Sequence, residues 1–328
     1  TDGTNWTDTG FSPGAGDKVI GYGNGKFIIG TDRSVQFSST NGINWSSYTL
    51  ANSRVFKWKA IGYGGGRWMA SENTSGAKLW YSTDGITWNG GVIPSANGNW
   101  TSFATDGNGV WIAPDEFGTS SMRSSDNGNN WSASSSFRGR GAFGDGVFVS
   151  FETGVPTYAY AYTTPANVPS NSWTNVSSSP SQSSGQYSWT SIAYGNGAWT
   201  VAGNGTASGT GKNLMVTDNI TDGSSWTFPV TPSGNWINLA GGGADGFVAG
   251  TSNGAAFSAS GGLAATATLT LTNDTNLANL RVGDAINKGT ITDVAEASNQ
   301  ITLTPAAAGW TGVASAPVGQ WRAVTQGG

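Results

Sequence analysis

The chain has 328 residues with neither cysteine nor histidine, which excludes disulfides, thiolate nucleophiles, Ser-His or Cys-His catalysis and zinc sites of the usual ligand types. A formal charge of −4 with only 10% charged residues argues against a phosphate-binding surface, so nucleic acid is not an expected partner. No apolar run approaches the roughly 18–20 residues of a membrane span, so no membrane insertion is expected.

The chain opens on a short motif, Thr1-Asp2-Gly3-Thr4-Asn5-Trp6, with no methionine and no basic-plus-apolar leader before it, and so reads as a fragment or a processed product. The fullest copy is Ser82-Thr83-Asp84-Gly85-Ile86-Thr87-Trp88. Physically this box is a strand end, a tight turn and the start of the next strand, with Asp-Gly where positive φ is needed. Asp84 is placed to cap the turn's N–H groups, and Trp88 to return between neighbouring sheets. Further copies carry Asn41 and Trp45, Asp126 and Trp131, and Asp222 and Trp226; a worn one ends at Trp173. The closing tryptophans are spaced by 39, 43, 43, 42 and 53 residues, and about 43 is the length of one four-stranded propeller blade.

A second motif precedes each box and supplies the first two strands of a blade: Trp-x-x-Ile-x-Tyr-Gly-x-Gly-x-Trp. It occurs at Lys18 to Phe27, Trp58 to Trp68, Trp100 to Trp111, Arg138 to Phe148, Trp189 to Trp199 and Trp236 to Phe247. Asn24-Gly25, Asn108-Gly109, Asp145-Gly146 and Asn196-Gly197 are hairpin signals. A small residue precedes each hairpin, at Gly21, Gly62, Ala104, Ala142, Ala193 and Ala240, as an innermost strand crowding an axis requires. Third strands follow at Lys78 to Ser82, Thr157 to Thr163, Lys212 to Thr217 and Ala255 to Ser260, the last with no box after it. The orphan Thr1 to Trp6 is therefore expected to close the ring as the outer strand of the sixth blade.

These residues resemble the Asp box, or BNR repeat, of the sialidase-like propellers, whose pattern is Ser-x-Asp-x-Gly-x-Thr-Trp. Ser124, Asp126, Gly128 and Trp131 match its spacing without the Thr, and Ser82 to Trp88 is one residue shorter. The resemblance covers residues 1–262 and implies an all-β, six-bladed propeller closed by the N-terminal strand. It also implies that Asp2, Trp6, Asn41, Trp45, Asp84, Trp88, Asp126, Trp131, Trp173, Asp222 and Trp226 are structural, because in that family the box does no chemistry.

Beyond Gly262 tryptophan becomes sparse and Thr-Ala alternation takes over, so residues 263–328 read as a separate small β domain. Ala267 to Leu271, Val282 to Ile286, Thr290 to Val294, Gln300 to Leu303 and Gln320 to Val324 are its expected strands. Thr272 to Ala285 and Gly289 to Pro305 look like segments of structural proteins of tailed phages, particularly those infecting marine cyanobacteria. That implies an extracellular, virion location, with a bacterial cell surface as the alternative.

In a blade, the loops joining strands 2 to 3 and 4 to 1 share one face, and the boxes lie on the other. On the first face, Asp32-Arg33, Glu72, Asp115-Glu116, Glu152, Asn204 and Thr251 follow the second strands, and three of the chain's four glutamates are among them. Two long insertions, Thr174 to Ser188 and Gly203 to Asn213, add Tyr187, Asn204 and Lys212 to that face. Asp32, Arg54, Glu72, Asp115, Glu116, Glu152, Tyr187, Asn204 and Lys212 are thus the candidate ligand- or partner-contacting residues. No catalytic residue, metal or cofactor is expected. The expected partner is a cell-surface glycan or a neighbouring virion or surface protein, and the chain becomes oligomeric through the particle.

The alternative function is a sialidase-like glycoside hydrolase. That family clamps the substrate carboxylate with three arginines and uses a tyrosine paired with a glutamate, plus an acidic aspartate. The propeller holds Arg33, Arg54, Arg67, Arg123, Arg138 and Arg140, without an Arg-Ile-Pro motif, too few to build that clamp convincingly.

Overall fold

In the computed structural model, the described residues are 9–14, 18–50, 56–72, 78–90, 98–116, 120–134, 137–151, 161–165, 173–176, 187–205, 214–222, 226–227, 229, 236–241, 246–251, 254–258, 268–270, 285–286, 289–295, 300–305 and 311–313. Among them there is no helix; the chain is all-β. Six antiparallel sheets follow one another between Lys18 and Ser258.

Sheet 1 is Lys18–Gly23, Lys26–Thr31, Val35–Ser39 and Ser46–Thr49, and sheet 2 is Trp58–Gly64, Arg67–Glu72, Leu79–Ser82 and Asn89–Gly90. Sheet 3 is Ala104–Thr105, Trp111–Ala113, Ser121–Ser124 and Ser132–Ser134; sheet 4 is Arg140–Gly144, Val147–Phe151, Ala161–Pro165 and Thr174–Val176. In sheet 5, Tyr187–Gly195, Ala198–Gly205 and Leu214–Thr217 pair in order, and Thr227 adds a bridge to Val216. Sheet 6 holds Trp236–Gly241, Phe247–Thr251, Gly254–Ser258 and Thr311–Val313. A seventh sheet is made of Thr268–Thr270, Gln300–Pro305, Gly289–Ala295 and Ala285–Ile286, close to four of the expected C-terminal strands. Gln320 to Val324 and Thr1 to Trp6 lie outside the described residues.

One expectation is corrected. The edge beside Gly254–Ser258 is occupied by Thr311–Val313, with Ala255, Ala256 and Phe257 paired to Val313, Gly312 and Thr311. An edge strand offers unpaired N–H and C=O groups to any extended segment that reaches it. Thr311 is only a few residues beyond Pro305, the end of the seventh sheet's central strand, so the C-terminal segment is close at hand.

The core is divided into layers between sheets. Each of five buried clusters draws on two consecutive sheets, as where Val19 and Ile28 meet Trp58, Ile61 and Trp68. Nine of the twelve tryptophans with described side chains are buried, so the indoles act mainly as filling between sheets. The box tryptophans pack on a second aromatic: Trp88 lies 4.8 Å from Trp58, and Trp173 stacks on Phe137 at 4.3 Å. The first strands of consecutive sheets pack side by side, from Lys18–Gly23 to Trp236–Gly241. That approach needs glycine: a Cβ on Gly23 would fall 2.1 Å from the Tyr63 ring, and one on Gly144 2.1 Å from the Tyr194 ring. Among the described residues, no comparable packing joins the sixth sheet back to the first.

The boxes of sheets 1 to 3 share one hydrogen-bond scheme. Asp84 Oδ1 accepts the N–H groups of Ile86 and Thr87 at 2.8 and 2.7 Å and the Ser82 hydroxyl at 2.8 Å, while Ser82 Oγ accepts from Gly85 N–H. Asn41 with Ser39, and Asp126 with Ser124, do the same. Gly42, Gly85 and Gly128 all have φ between 71° and 77°, which L side chains rarely adopt. In sheet 5 residues 223–225, the turn of the Asp222 box, lie outside the described residues, and the same scheme is seen just before it. Asn219, two residues after the strand-ending Thr217, takes the Thr221 N–H and hydroxyl, because the scheme needs a Ser or Thr at the strand end two positions before the acceptor. Asp222 lies past that position, exposed, with its N–H donated to the Asn219 carbonyl.

With the N–H groups occupied, the box carbonyls face the preceding sheet. Lys26 donates to Asp84 O at 3.0 Å, Tyr48 to Gly85 O at 2.7 Å, and Arg67 to Asn127 O at 2.8 Å. Burial, with the nearby Asp84 carboxylate, pushes the Tyr48 hydroxyl well up. Partial burial pushes the Asp84 carboxyl up, but the Ile86 and Thr87 N–H groups and the Ser82 hydroxyl outweigh it and hold it at about 2.

Because that value is depressed, the stabilisation from Asp84 is complete above the ordinary pKa of 3.8 and disappears as pH falls through about 2. Asp84→Ala should cost roughly 0.5–2 kcal/mol at neutral pH, by analogy with other lost caps. Urea denaturation at pH 7 and pH 2 should show the parent–variant gap shrinking at the lower pH; a gap that stays constant would remove the charge from the account.

Candidate functional site

The first strands of sheets 2 to 6 enclose a cavity of about 360 Å³ along their common axis. The small residues Gly62, Ala104, Ala142, Ala193 and Ala240 all line it, as the sequence pattern requires of innermost strands. Strand alternation then puts the residue two positions earlier on the same wall, and Ala60, Ser102, Arg140, Ser191 and Asn238 are there.

In sheets 2, 5 and 6 a register shift intervenes between the motif tryptophan and this residue, at Trp58/Ala60, Trp189/Ser191 and Trp236/Asn238. One extra residue opposite a single partner is a β-bulge, and it re-aims the side chains around it. Trp58 and Trp189 can thus fill the layer between sheets while Ala60 and Ser191, two residues on, line the axis.

The wall's two ends differ. At the hairpin end stand Tyr63, Phe143 and Tyr194, with Asp106. At the other end, Ser102 Oγ accepts the Gly141 N–H at 3.0 Å, Ser191 Oγ accepts the Leu239 N–H at 3.2 Å, and Arg140 donates to the Thr101 carbonyl. Asp106, the one carboxylate among the described lining residues, accepts the N–H groups of Asn108 and Val110, each at 2.9 Å, and so is engaged in its own turn. That hairpin departs from its Asn-Gly reading: positive φ falls at Gly107 and Gly109 rather than at Asn108, whereas Asn24, Asp145 and Asn196 adopt it as expected.

The end of the wall where the second strands finish carries a polar cluster between sheets 2 and 3. Lys59 Nζ is 3.1 Å from Glu116 Oε2 and donates to Asn99 Oδ1, and Asn99 Nδ2 donates to the same Glu116 oxygen at 2.6 Å. Beside it, Asp115 is only 1% exposed: its Oδ2 accepts the Asn99 N–H at 2.7 Å, and its own N–H donates to Ser121 Oγ. Glu72 is also buried, at 5%. Of the expected acidic rim, then, Asp115 and Glu72 lie inside, and Glu116 reaches the surface in an ion pair. Asp32 is half-buried, with Oδ1 unpartnered among the described residues, and Arg33 is exposed. The backbones of Tyr187 and Asn204 lie in the paired first two strands of sheet 5, opposite Gly205 and Ser188. Arg54, Glu152 and Lys212 fall outside the described residues. Lys59, Asn99 and Asn238 were not singled out from the sequence, and Arg140 was weighed only as one of the propeller's arginines; Arg140 and Asn238 occupy the variable position two before each small residue, a signal that alternation carries.

No protein-family model matches the chain, and no curated protein sequence matches it. Solved structures resemble it in fold. YCF48 bound to D1 peptide is 12% identical, with a TM-score of 0.54 over 76% of this chain and 80% of that one. Selenomethionine-substituted virginiamycin B lyase from Staphylococcus aureus is 15% identical, with a TM-score of 0.56 over 74% and 80%. The GH74 enzyme of Niastella koreensis is 19% identical, with a TM-score of 0.52 over 75% of this chain and only 36% of its own length. The fold is that of a β-propeller. Its neighbours include enzymes and a peptide-bound protein, so the likeness speaks to architecture alone.

If Asp115 is a structural carboxylate and Glu116 a surface one, Asp115→Ala should cost roughly 1–3 kcal/mol through the lost acceptor for Asn99 N–H. Glu116→Gln should cost roughly 0–1 kcal/mol, as partly exposed pairs do. Equilibrium urea unfolding separates the two, and equal costs would return both residues to the rim.

Proposed function

We propose that the chain is a non-catalytic binding or structural component of an extracellular particle, a phage virion, in which a six-bladed Asp-box propeller presents the face with the Lys59–Glu116 cluster to a glycan or a neighbouring protein. The observation that carries the reading is the engagement of the axial charges. The one carboxylate in the cavity wall is held by its own turn and the guanidinium of Arg140 by a backbone carbonyl, leaving no carboxylate pair and no arginine clamp among the described lining residues. Such groups stiffen a scaffold, and recognition on a rigid scaffold falls to its loops. The resemblance of residues 272–285 and 289–305 to phage structural segments supports the particle, and the peptide-bound YCF48 is an instance of a propeller of similar fold engaging a protein segment.

Replacing Asp32, Lys59 and Glu116 together, by Asn, Gln and Gln, should weaken adsorption or assembly of the particle and flatten its salt dependence, with the fold retained. The parent should release no chromophore from an aryl sialoside. Measurable hydrolysis would overturn the non-catalytic reading, and unchanged adsorption would move docking off this face.

With Thr311–Val313 as the outer strand of the sixth sheet, deleting residues 1–8 should leave the melting temperature close to the parent's, whereas a large drop would return that edge to Thr1 to Trp6.

A further inference from the structure

The bulge in the first strand of sheet 2 leaves one residue unpaired in the ladder. Trp58 lies opposite Glu72 and Ala60 opposite Ser71, so Lys59 is the extra residue between them. At the same step in sheets 5 and 6 stand Thr190 and Ile237, neither of them charged. Lys59 reaches across to the sheet 3 side, where its Nζ is 2.5 Å from Asn99 Oδ1 and 3.1 Å from Glu116 Oε2.

The backbone holds these two acceptors against each other. The Glu116 N–H donates to the Asn99 carbonyl at 3.1 Å, the Asn99 N–H donates to Asp115 Oδ2 at 2.7 Å, and Trp100 and Asp115 form a β-bridge between them. The Asn99 side-chain nitrogen donates to the same Glu116 oxygen that the lysine meets, at 2.6 Å. One carboxylate oxygen therefore touches both an amine and a carboxamide nitrogen, while the amine rests against the carboxamide's own oxygen. An ion pair accounts for the lysine and the glutamate, but it does not require a carboxamide engaged by both. The three groups are instead the parts of an amide exchange: a nucleophilic amine, a carbonyl carbon one bond from the oxygen it touches, a leaving nitrogen, and a carboxylate within reach of both nitrogens.

We propose that Lys59 and Asn99 join in an intramolecular isopeptide bond, with Glu116 as the proton carrier. Glu116 takes a proton from the Lys59 ammonium, and the free amine attacks Asn99 Cγ, forming the Nζ–Cγ bond. Glu116 then gives that proton to Asn99 Nδ2, the Cγ–Nδ2 bond breaks, and ammonia departs. As the carbonyl reforms, Nζ sheds a second proton, which ammonia carries off as ammonium. The carboxylate ends as it began, and no oxidant or cofactor is consumed. The side chains of Lys59 and Glu116 are 21% and 35% exposed, so the ammonium has a way out to solvent. The bond would close a loop between residues 40 apart and tie sheet 2 to the start of sheet 3 in a chain that has no cysteine for a disulfide. A link of this kind stabilises chiefly by restricting the unfolded chain.

Intact-mass measurement and peptide mapping of the folded full chain, incubated at neutral and at mildly alkaline pH, test the proposal. The chain should become lighter by one ammonia and yield a branched peptide joining Lys59 to Asn99, faster at the higher pH because only the free amine attacks. Lys59→Arg keeps the positive charge and should give no branched peptide; should it not fold, Asn99→Ala is the second unreactive variant. Glu116→Gln keeps both reacting groups and should link at least about a hundredfold more slowly, as loss of a general base does. Before linkage that variant lacks only the ion pair, whereas the linked parent should melt several degrees above it. Parent chain held unfolded in urea should not link. A folded parent without the branched peptide after prolonged alkaline incubation would overturn the proposal, and so would an unchanged rate in Glu116→Gln. Loss of ammonia without the branched peptide, as an Asn-Gly succinimide gives, would overturn it as well. Because the mass is read on the isolated chain, the outcome is independent of whether the docking face is correct.

Discussion

What holds this molecule together across its sheets is a turn that satisfies itself. When an Asp or Asn oxygen collects the N–H groups of its own box, the carbonyls of that box are left pointing at the sheet before it, where Lys26, Tyr48 and Arg67 donate to them. The chain has no cysteine, so no disulfide supplements these contacts. Sheets 1 and 2, and sheets 2 and 3, are thereby tied together by one or two polar contacts at the periphery and by a layer of indoles and aliphatic side chains further in. The polar contacts fix orientation, since they are directional, while the apolar layers supply most of the free energy, in proportion to the area they bury.

The axis obeys an opposite demand. There the strands must come close, and closeness is bought with missing side chains: Gly23 and Gly144 receive the rings of Tyr63 and Tyr194, and Gly62 leaves room for Phe103. Small residues on the axial wall keep a cavity open in a region that large ones would fill, and the residues two positions earlier decide its polarity. The same first strand therefore carries packing on one side of its bulge and chemical identity on the other.

Most of the repeat was legible in the sequence because it is written in residues with steep local preferences. Gly at positive φ, Asn-Gly at the hairpins of sheets 1 and 5, and Asp-Gly at the box of sheet 2 each leave the backbone little choice. Burial of the acids was not legible. Asp115 has the charge and loop position of a rim residue, and only the arrival of Asn99, sixteen residues earlier in the chain, encloses it. The cap at Asn219 was not legible for a related reason: Asp-Gly at 222–223 is the stronger turn signal, whereas distance from the strand end places a cap at Asn219. The pairing of Thr311–Val313 with the sixth sheet is non-local and rests on an edge that many short Thr-rich segments fit equally well.

The bulge between the tryptophan and the axial residue separates two kinds of inheritance. Where the bulge is present, in sheets 2, 5 and 6, the tryptophan before it is kept, but nothing in the backbone obliges the repeat to keep the residue after it. Ala60, Ser191 and Asn238 occupy one geometric position in three sheets with three different chemistries. A chain built by repetition can in this way remain monotonous in its walls and still compose an asymmetric interior, one residue per sheet, without any sheet needing to change shape.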